Sequence, residues 1–432
     1  MGACINKIFV VLFMAMLISN VHAYTIKKLS NGLTLVYEKY NDSNVVVVDF
    51  WVKTGSLYEN DKNNGASHFM EHMFFQGTKK RPGNTADYIK EIGATYNGST
   101  SQDFVHYFIE APKERLSDSL DIIADMLGNA QLTEKKFNEE KGVILAELAS
   151  RQSEPMTYLF DSFGSIIFNP EYPYSRPIGG NYDVIQKMTI DDLKYFYDHF
   201  YTKDRIVVVV TGNFDEKKLF ELVEEKSKYI KTAEKPIELK FEEPQPLKEI
   251  KEVTVKRQTQ GLTYNKIGWI GVNALDSDFP ALYMLASILS GGDSARLDQK
   301  IVTTGLASAI SMDFSESKLT DDFSFTFVTI PDNVNKVKNT ILDEIGNIAE
   351  GNVNDEELNR MKVLYESHFE MGKERPISLA MNLGYYWTVA NLDLYDTIVD
   401  KIKNVKKEDI VRVCNKYLKN KNYVFYTILP EE

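Results

Sequence analysis

Three stretches in the second half of the chain repeat, in the same order, the character of three stretches in the first half. The matched pairs are 68–77 with 283–292, 103–112 with 322–331, and 137–147 with 358–368. The first pair is apolar and ends in glycine, the second pair is strand-like and ends in proline, and the spacing between partners is nearly constant. This pattern indicates a duplicated unit, so we expect a fold with two similar halves.

Hydrophobic periodicity predicts both strands and helices in each half. In the first half, 32–38 and 44–55 have the pattern of strands, 113–130 and 133–151 have the period of long helices, and 205–214 is a very apolar strand. These elements predict an α+β fold of two homologous α/β halves. Each half should contain a mixed, mostly antiparallel sheet covered by helices.

Composition divides the chain into domains. Residues 232–252 are rich in proline, glutamate and lysine, which predicts an exposed linker between an N-terminal domain at 24–231 and a C-terminal domain at 253–432. A length of 432 residues suffices for two domains with a substantial core. The net charge is −12 with both signs interspersed, which argues against a nucleic-acid partner.

The first 23 residues have the features of a secretory signal. One lysine precedes the apolar run IFVVLFMAMLI, and Ala23 stands at the expected cleavage position. The run is short for a bilayer span, so a retained membrane anchor is the weaker alternative. We therefore expect an exported mature chain without a membrane span. Because only Cys414 remains after cleavage, no intramolecular disulfide can form and the core must supply the stability.

Two of the six histidines lie within one turn of the apolar stretch 68–77. His68 and His72 are four residues apart, so on a helix both can direct a ring nitrogen at one ion. Glu71 lies beside them in the order H-x-x-E-H, where its carboxylate can take a proton from a water molecule. The alternative, two core histidines and a solvated glutamate, would leave three polar groups unexplained in an apolar helix.

A third metal ligand must come from elsewhere, and the predicted helix at 133–151 carries three candidates. Glu140 and Glu147 are two turns apart and share one face, while Glu139 is adjacent to Glu140. One carboxylate could bind the ion while another orients a ligand. The residue pattern alone does not choose among these acids, and a solvated acidic face is the ordinary reading of such a helix.

Together, HFMEHMFFQGT at 68–78 and EEKGVILAE at 139–147 resemble the motifs of the inverzincin zinc metallopeptidases of the pitrilysin and insulinase type. The chain is similar in particular to the branch with the mitochondrial processing peptidase and its bacterial relatives, and the resemblance covers essentially the whole mature chain. It implies that the two halves form half of a clamshell. It also implies an envelope location, with the periplasm of a Gram-negative bacterium as first expectation and secretion as second.

The resemblance implies a role for each candidate residue. One zinc ion would be held by His68, His72 and Glu147, with Glu71 as general base and Glu140 as a supporting residue. The stretch 93–108 would supply an edge strand that pairs with the substrate backbone. In it, Asn97 occupies a substrate-contacting position and Gly98 stands where alanine is usual. The remaining histidines of the mature chain are read as structural side chains: His106, His199 and His368.

The second half departs from the family pattern at two positions. Active relatives carry an arginine and, seven residues later, a tyrosine that reach the substrate across the chamber; here these positions hold Ile301 and Ser308. Positioned donors of this kind are worth about 10²–10³ in rate. We therefore expect a heterodimer in which a homologous subunit supplies the Arg/Tyr pair; a homodimer, or action alone, is the alternative.

The resulting prediction is a zinc-dependent endopeptidase that hydrolyses extended peptides or unstructured protein segments, as the metal-bearing subunit of a two-chain enzyme. The alternative is a non-catalytic structural or peptide-binding subunit of a larger assembly. Relatives of that second kind tend to lose the zinc residues, whereas all four are present here. The sequence does not identify the substrate or the preferred cleavage site.

Overall fold

A computed structural model describes residues 24–235, 237 and 239–431, so the predicted signal at 1–23 lies outside the described residues. The first half contains a six-stranded sheet in the order β1-β2-β6-β3-β5-β4. Its strands are β1 Thr25–Lys28, β2 Thr34–Lys39, β3 Val45–Val52, β4 Thr95–Thr100, β5 Val105–Pro112 and β6 Ile206–Gly212. Its helices are α1 Ala66–Phe75, α2 Thr85–Glu91, α3 Leu116–Gly128, α4 Glu134–Ser153, α5 Pro155–Ile167, α6 Tyr182–Lys187, α7 Ile190–Phe200 and α8 Glu216–Lys226.

The second half contains a five-stranded sheet in the order β7-β11-β8-β10-β9. Its strands are β7 Lys251–Arg257, β8 Thr263–Ile270, β9 Ala309–Asp313, β10 Asp322–Thr329 and β11 Val424–Pro430. Its helices are α9 Phe279–Ser290, α10 Val334–Ala349, α11 Asp355–Met371, α12 Pro376–Val389, α13 Leu392–Lys403 and α14 Lys407–Val413. None of the helices in the described part of the chain is both long and apolar enough to cross a membrane.

The two sheets share one topology. Strands β2-β6-β3-β5-β4 of the first sheet correspond in order to β7-β11-β8-β10-β9 of the second, and β1 is an addition to the first. The parallel pair is the same in each sheet, β2 with β6 and β7 with β11, whereas the other neighbouring strands are antiparallel. The predicted fold class, two homologous halves with mixed and mostly antiparallel sheets covered by helices, is confirmed.

The halves exchange one helix each. Helix α12 of the second half packs on β3 and β6 of the first sheet, and α5 of the first half packs on β8 and β11 of the second. Glycines allow both approaches. A Cβ atom at Gly384 of α12 would lie 2.1 Å from Trp51 Nε1, and one at Gly268 of β8 would lie 2.9 Å from Phe163 of α5. Each half therefore completes the core of the other.

The segment between the halves has no regular structure over most of its length. Among the described residues between Tyr229 and Lys251 there is no helix or strand, and β7 begins at Lys251, inside the predicted linker. The division into domains at 24–231 and 253–432 remains a prediction, because the exchanged helices join the two cores.

Candidate metal centre

Helix α1 presents two different faces. Its apolar face is fully buried and includes Phe69, Met70, Met73 and Phe74, and the Phe69 ring stacks on Phe137 of α4 at 4.9 Å between centroids. This packing fixes the rotation of the helix about its axis. The three polar side chains at 68, 71 and 72 consequently point away from the core, where they are only partly buried.

Helix α4 brings a carboxylate to the polar face of α1. Ile144 and Leu148 are buried and hold α4 against the core, so Glu147 faces the two histidines. Glu147 Oε1 lies 3.7 Å from His68 Nε2, and Glu147 Oε2 lies 3.5 Å from His72 Nε2. One ligand atom from each of the three residues lies within 4.8 Å of the others. Two imidazole nitrogens and one carboxylate oxygen at this spacing are a donor set that fits a zinc ion with an open fourth position.

The other acids of α4 have separate environments. Glu140 Oε2 accepts a hydrogen bond from His72 Nδ1 at 3.1 Å, which leaves His72 Nε2 directed towards Glu147. Glu140 Oε1 accepts from Gln76 Nε2 at 2.5 Å. Glu139 is exposed and pairs with Lys135 at 3.9 Å on the solvent side of the helix. The three acids that the sequence pattern left open are thereby distinguished by the rotation of α4.

The pKa values of the two imidazoles shift in opposite directions, which disfavours a state with both rings charged. Burial, and then the neighbouring His72, lower the pKa of His68. Burial also disfavours the charged form of His72, but hydrogen bonds to Glu147 and Glu140 outweigh it and raise the pKa of His72. The hydrogen bond from His72 in turn lowers the pKa of Glu147. The lowered pKa values of Glu147 and His68 favour the ionised carboxylate and the neutral imidazole that metal binding requires, whereas the raised pKa of His72 means that its proton competes with the ion.

Glu71 lies on the same face of α1 but is turned towards the sheet rather than towards Glu147. Its Oε2 accepts a hydrogen bond of 2.5 Å from the hydroxyl of Thr100 at the end of β4. Its carboxylate is partly exposed and is not one of the three converging ligand groups. Glu71 is thus held next to the candidate metal ligands while its second oxygen remains free of this bond.

Strand β4 forms an open edge of the first sheet beside α1. It pairs with β5 on one side, and its residues alternate between exposed and half-buried. Asn97 is exposed, and its Oδ1 accepts from Gly98 N at 3.0 Å. Gly98 lies close to two rings, since a Cβ atom there would be 3.1 Å from Tyr107 and 3.2 Å from Phe75. No other strand of the described chain pairs with the open side of β4, so its backbone groups can pair with an extended peptide.

The two positions in the second half that depart from the family pattern present no long donor to solvent. Ile301 is fully buried in a π-helical turn at Asp298–Val302. Ser308 is exposed, but its hydroxyl and its backbone N–H both donate to Val328 O. Neither residue can reach across a chamber as an arginine or a tyrosine would.

The other histidines of the described chain have structural surroundings, as the sequence suggested. His106 is buried, lies 3.1 Å from Asp49 through Nδ1, and stacks on Trp51. His199 donates through Nδ1 to the carbonyl of Tyr195, and His368 is exposed on α11.

Sequence reasoning missed the residues that hold the candidate site residues in place. Gln76 could have been found, because it follows His72 by four residues, at the C-cap of the same helix. Thr100, which binds Glu71, and Glu59, which binds the start of α1, reach the site through the tertiary fold. Thr100 is distant from the histidine motif in the sequence, and Glu59, although only nine residues before His68, lies in a loop where no helix or strand periodicity relates it to the motif.

Comparisons with known proteins agree with this architecture. Residues 34–180 match the family described as insulinase (peptidase family M16), and 187–364 match the one described as peptidase M16 inactive domain. An uncharacterized zinc protease of Rickettsia felis is 29% identical over 399 residues, which cover 91% of this chain and 94% of the relative. The mitochondrial-processing peptidase subunit beta of Saccharomyces cerevisiae is 26% identical over 409 residues, covering 91% and 88%. A protease from Helicobacter pylori has a crystal structure with a TM-score of 0.89 at 25% identity, covering 94% of this chain and 99% of that one.

Proposed function

Because this chain belongs to the M16 (insulinase) peptidase family, we propose that it is a zinc-dependent endopeptidase acting on extended peptides or unstructured protein segments. The observation that carries this proposal is the convergence of His68, His72 and Glu147 on one point, with Glu71 held beside them. The family membership and the zinc-protease names of relatives support a peptidase. The side-chain geometry supports an intact catalytic site in this particular chain.

Each residue of the site has a chemical task in this proposal. A zinc ion held by His68, His72 and Glu147 would supply a Lewis acid for the scissile carbonyl and lower the pKa of the attacking water. Glu71 takes a proton from that water and then delivers it to the leaving amine. The Thr100 hydroxyl fixes one oxygen of Glu71, and Glu140 fixes the ring of His72.

The open edge of β4 is the proposed recognition surface. An extended peptide that adds to this edge would pair through its main chain, which gives binding with little dependence on sequence. Asn97 and Gly98 lie on this strand, and Thr100 at its end contacts Glu71, so a bound peptide would pass beside the general base. The substrate should therefore be extended or unfolded rather than a folded domain.

A second subunit is the proposed source of the missing donors. Ile301 is buried and Ser308 is hydrogen-bonded to its own sheet, so this chain does not offer the arginine and tyrosine of the family pattern. The similar yeast protein is itself named as a subunit. We propose a heterodimer with a homologous chain that carries the Arg/Tyr pair. The absence of these donors also favours a second candidate function, a peptide-binding subunit without turnover of its own.

An exported location is part of the same proposal. The apolar run before Ala23 supports removal of a signal segment, and the periplasm is our first expectation.

The test is hydrolysis of a quenched fluorescent peptide mixture by zinc-loaded protein comprising residues 24–432, with and without a chelator. Chelator-sensitive turnover by this chain alone would support the peptidase and remove the need for a partner. Stoichiometric zinc without turnover would point to the missing subunit or to the peptide-binding alternative. A chain that binds no zinc would contradict the proposed site itself.

A further inference from the structure

The helix that carries the histidines begins without a capping side chain at its own N-cap residue. The N-cap of α1 is Gly65, in the left-handed region at φ 99°, and it contributes no side-chain hydrogen bond. A Cβ atom at this position would lie 2.6 Å from Ile185 Cδ1 and 2.9 Å from Gly180 Cα. A serine, threonine or aspartate, the usual capping residues, is therefore excluded there by space as well as by backbone conformation.

Glu59, six residues earlier in the chain, supplies the missing acceptors. Its carboxylate accepts from Gly65 N at 2.7 Å through one oxygen and from Ser67 N at 2.7 Å through the other. The first oxygen also accepts from the side-chain amide of Asn64 at 2.9 Å. Two of the N–H groups that a helix start leaves without partners are thus bound by one carboxylate from the loop before the helix.

We infer that Glu59 is a positioning residue that fixes the start of α1 so that His68 and His72 both face Glu147; this inference rests on the proposed function. Ser67, whose N–H binds Glu59, directly precedes His68. A helix turns by about 100° per residue, so a small change of its first turn would rotate both imidazoles away from the carboxylate on α4. Metal sites tolerate errors of only about 0.5 Å in ligand placement.

The environment of Glu59 fits this role better than a role as a simple ion pair. The side chain is 5% exposed, and within the described chain its carboxylate forms no ion pair. A buried carboxylate costs free energy unless its oxygens are hydrogen-bonded, so these three donors account for its presence. Burial raises the pKa of Glu59, and the hydrogen bonds from Gly65, Ser67 and Asn64 oppose that shift. The contacts of Glu59 are therefore concentrated on the start of the candidate metal-binding helix.

The experiment measures zinc affinity in the full chain by competition with a chromogenic chelator, at a temperature where each variant is folded. Glu59→Gln keeps the shape but places an NH₂ group against one of the two backbone donors. We expect the zinc affinity to fall at least about tenfold, as for residues that orient metal ligands. The absorption bands of the Co²⁺-substituted protein should shift in position and intensity, because they report the geometry of the ligands.

Asp278→Asn is the matched control. Asp278 is likewise 5% exposed and lies at the N-cap of α9, the counterpart of α1 in the second half, where it binds Arg412, Lys416 and Tyr417. This substitution should lower the melting temperature while leaving zinc affinity and the Co²⁺ spectrum unchanged. Should Glu59→Gln fail to fold, Glu59→Asp keeps the charge but is too short to reach both N–H groups, and it should weaken zinc binding in the same direction.

Unchanged zinc affinity and an unchanged Co²⁺ spectrum in a folded Glu59 variant would overturn the inference while leaving the proposed function in place. Equal losses of zinc affinity in the Glu59 and Asp278 variants would mean that Glu59 contributes only general stability. That result would also overturn the inference. If the unmodified chain bound neither metal, the proposed function would fail first. The two failures are therefore distinguishable.

Discussion

Helices α1 and α4 of the first half and helices α9 and α11 of the second half pack against each other in corresponding pairs, but among the described residues only the first pair brings together a candidate set of metal ligands. Every residue of α9 except Tyr283 is buried, whereas α1 leaves its polar face partly exposed. The aligned residues are His68 with Tyr283, Glu71 with Ala286, His72 with Ser287 and Glu147 with His368. The scaffold therefore requires none of the polar residues of the first half.

Aromatic and local polar contacts replace the site in the second half. The Tyr283 ring packs edge-on against Tyr365 of α11 at 5.3 Å, and the Ser287 hydroxyl donates to the Tyr283 carbonyl within its own helix. His368 is exposed, and the positions of α9 aligned with the two histidines of α1 hold Tyr283 and Ser287. The same helix packing forms without the polar residues of α1, so packing does not account for them, and the proposed zinc chemistry does.

Removing the proposed general base should reduce activity more than the other substitutions described below. Glu71→Gln preserves size and can still accept from Thr100, but it cannot take a proton. We expect peptide hydrolysis to fall by about 10²–10⁴, with zinc content unchanged, because general acid–base catalysis contributes about that much. Hydrolysis of the quenched peptides is measured in the active preparation, which is either this chain alone or this chain with its partner subunit. Ser287→Ala in α9, at the position aligned with the neighbouring His72, should have no effect, and wild-type turnover by Glu71→Gln would refute the mechanism.

Replacing the Glu147 carboxylate of α4, and separately the aligned His368 of α11, tests whether metal binding depends on the first half alone. Glu147→Gln should weaken zinc binding by more than about 100-fold, the upper range for residues that only orient ligands, because it removes a ligand itself. His368→Gln on α11 should leave the affinity unchanged. Competition with a chelator gives both values. Similar affinities for the two variants would mean that Glu147 is not a ligand.

The neighbouring acids of α4 provide a finer comparison within one helix. Glu140→Gln should reduce zinc affinity or activity by about 10–100-fold, because His72 loses the carboxylate that orients its ring. Glu139→Gln, one residue away on the solvent side, should change neither. A large effect at Glu139 would show that α4 is rotated relative to the arrangement described here.

The sequence predicted the parts of the site that depend on local spacing. His68, Glu71 and His72 follow from one helical turn, and the duplicated patterns predicted two similar sheets. The choice among the acids of α4 did not follow from spacing. It depends on the buried contacts of Ile144 and Leu148, which set the rotation of α4 against α1.

Long-range packing accounts for what the sequence could not predict. Thr100 at the end of β4 and Glu59 in the loop before α1 contact α1 because both segments fold back onto this helix. The exchange of α5 and α12 between the halves depends on the fit of Gly384 to Trp51 and of Phe163 to Gly268. Apart from Glu59 and the start of α1, each of these pairs joins residues that are far apart in the chain, and no helix or strand periodicity relates any of them.

The smallest expected effect is the pH dependence of the metal-free protein. The raised pKa of His72 stabilises the folded state below the unfolded value of about 6.5, and this stabilisation is lost as the pH rises through the folded pKa. The lowered pKa of His68 acts with the opposite sign below about 6.5, so the two contributions together favour a maximum near that pH. Glu140→Gln should reduce the loss of folding stability that occurs above that pH.

The measurement is the difference in Tm between the metal-free parent and Glu140→Gln from about pH 6 to pH 8. Both proteins share the other histidines, so their contributions cancel in the difference. The second half has Ser287 in place of His72 and adds no titration at the aligned position. Because His72 is 22% exposed, solvent screening reduces the effect, and we expect the difference to shrink by roughly 1–2 °C as the pH rises. A difference that grows with pH would contradict the pairing of His72 with Glu140 and would place the proton elsewhere in the site.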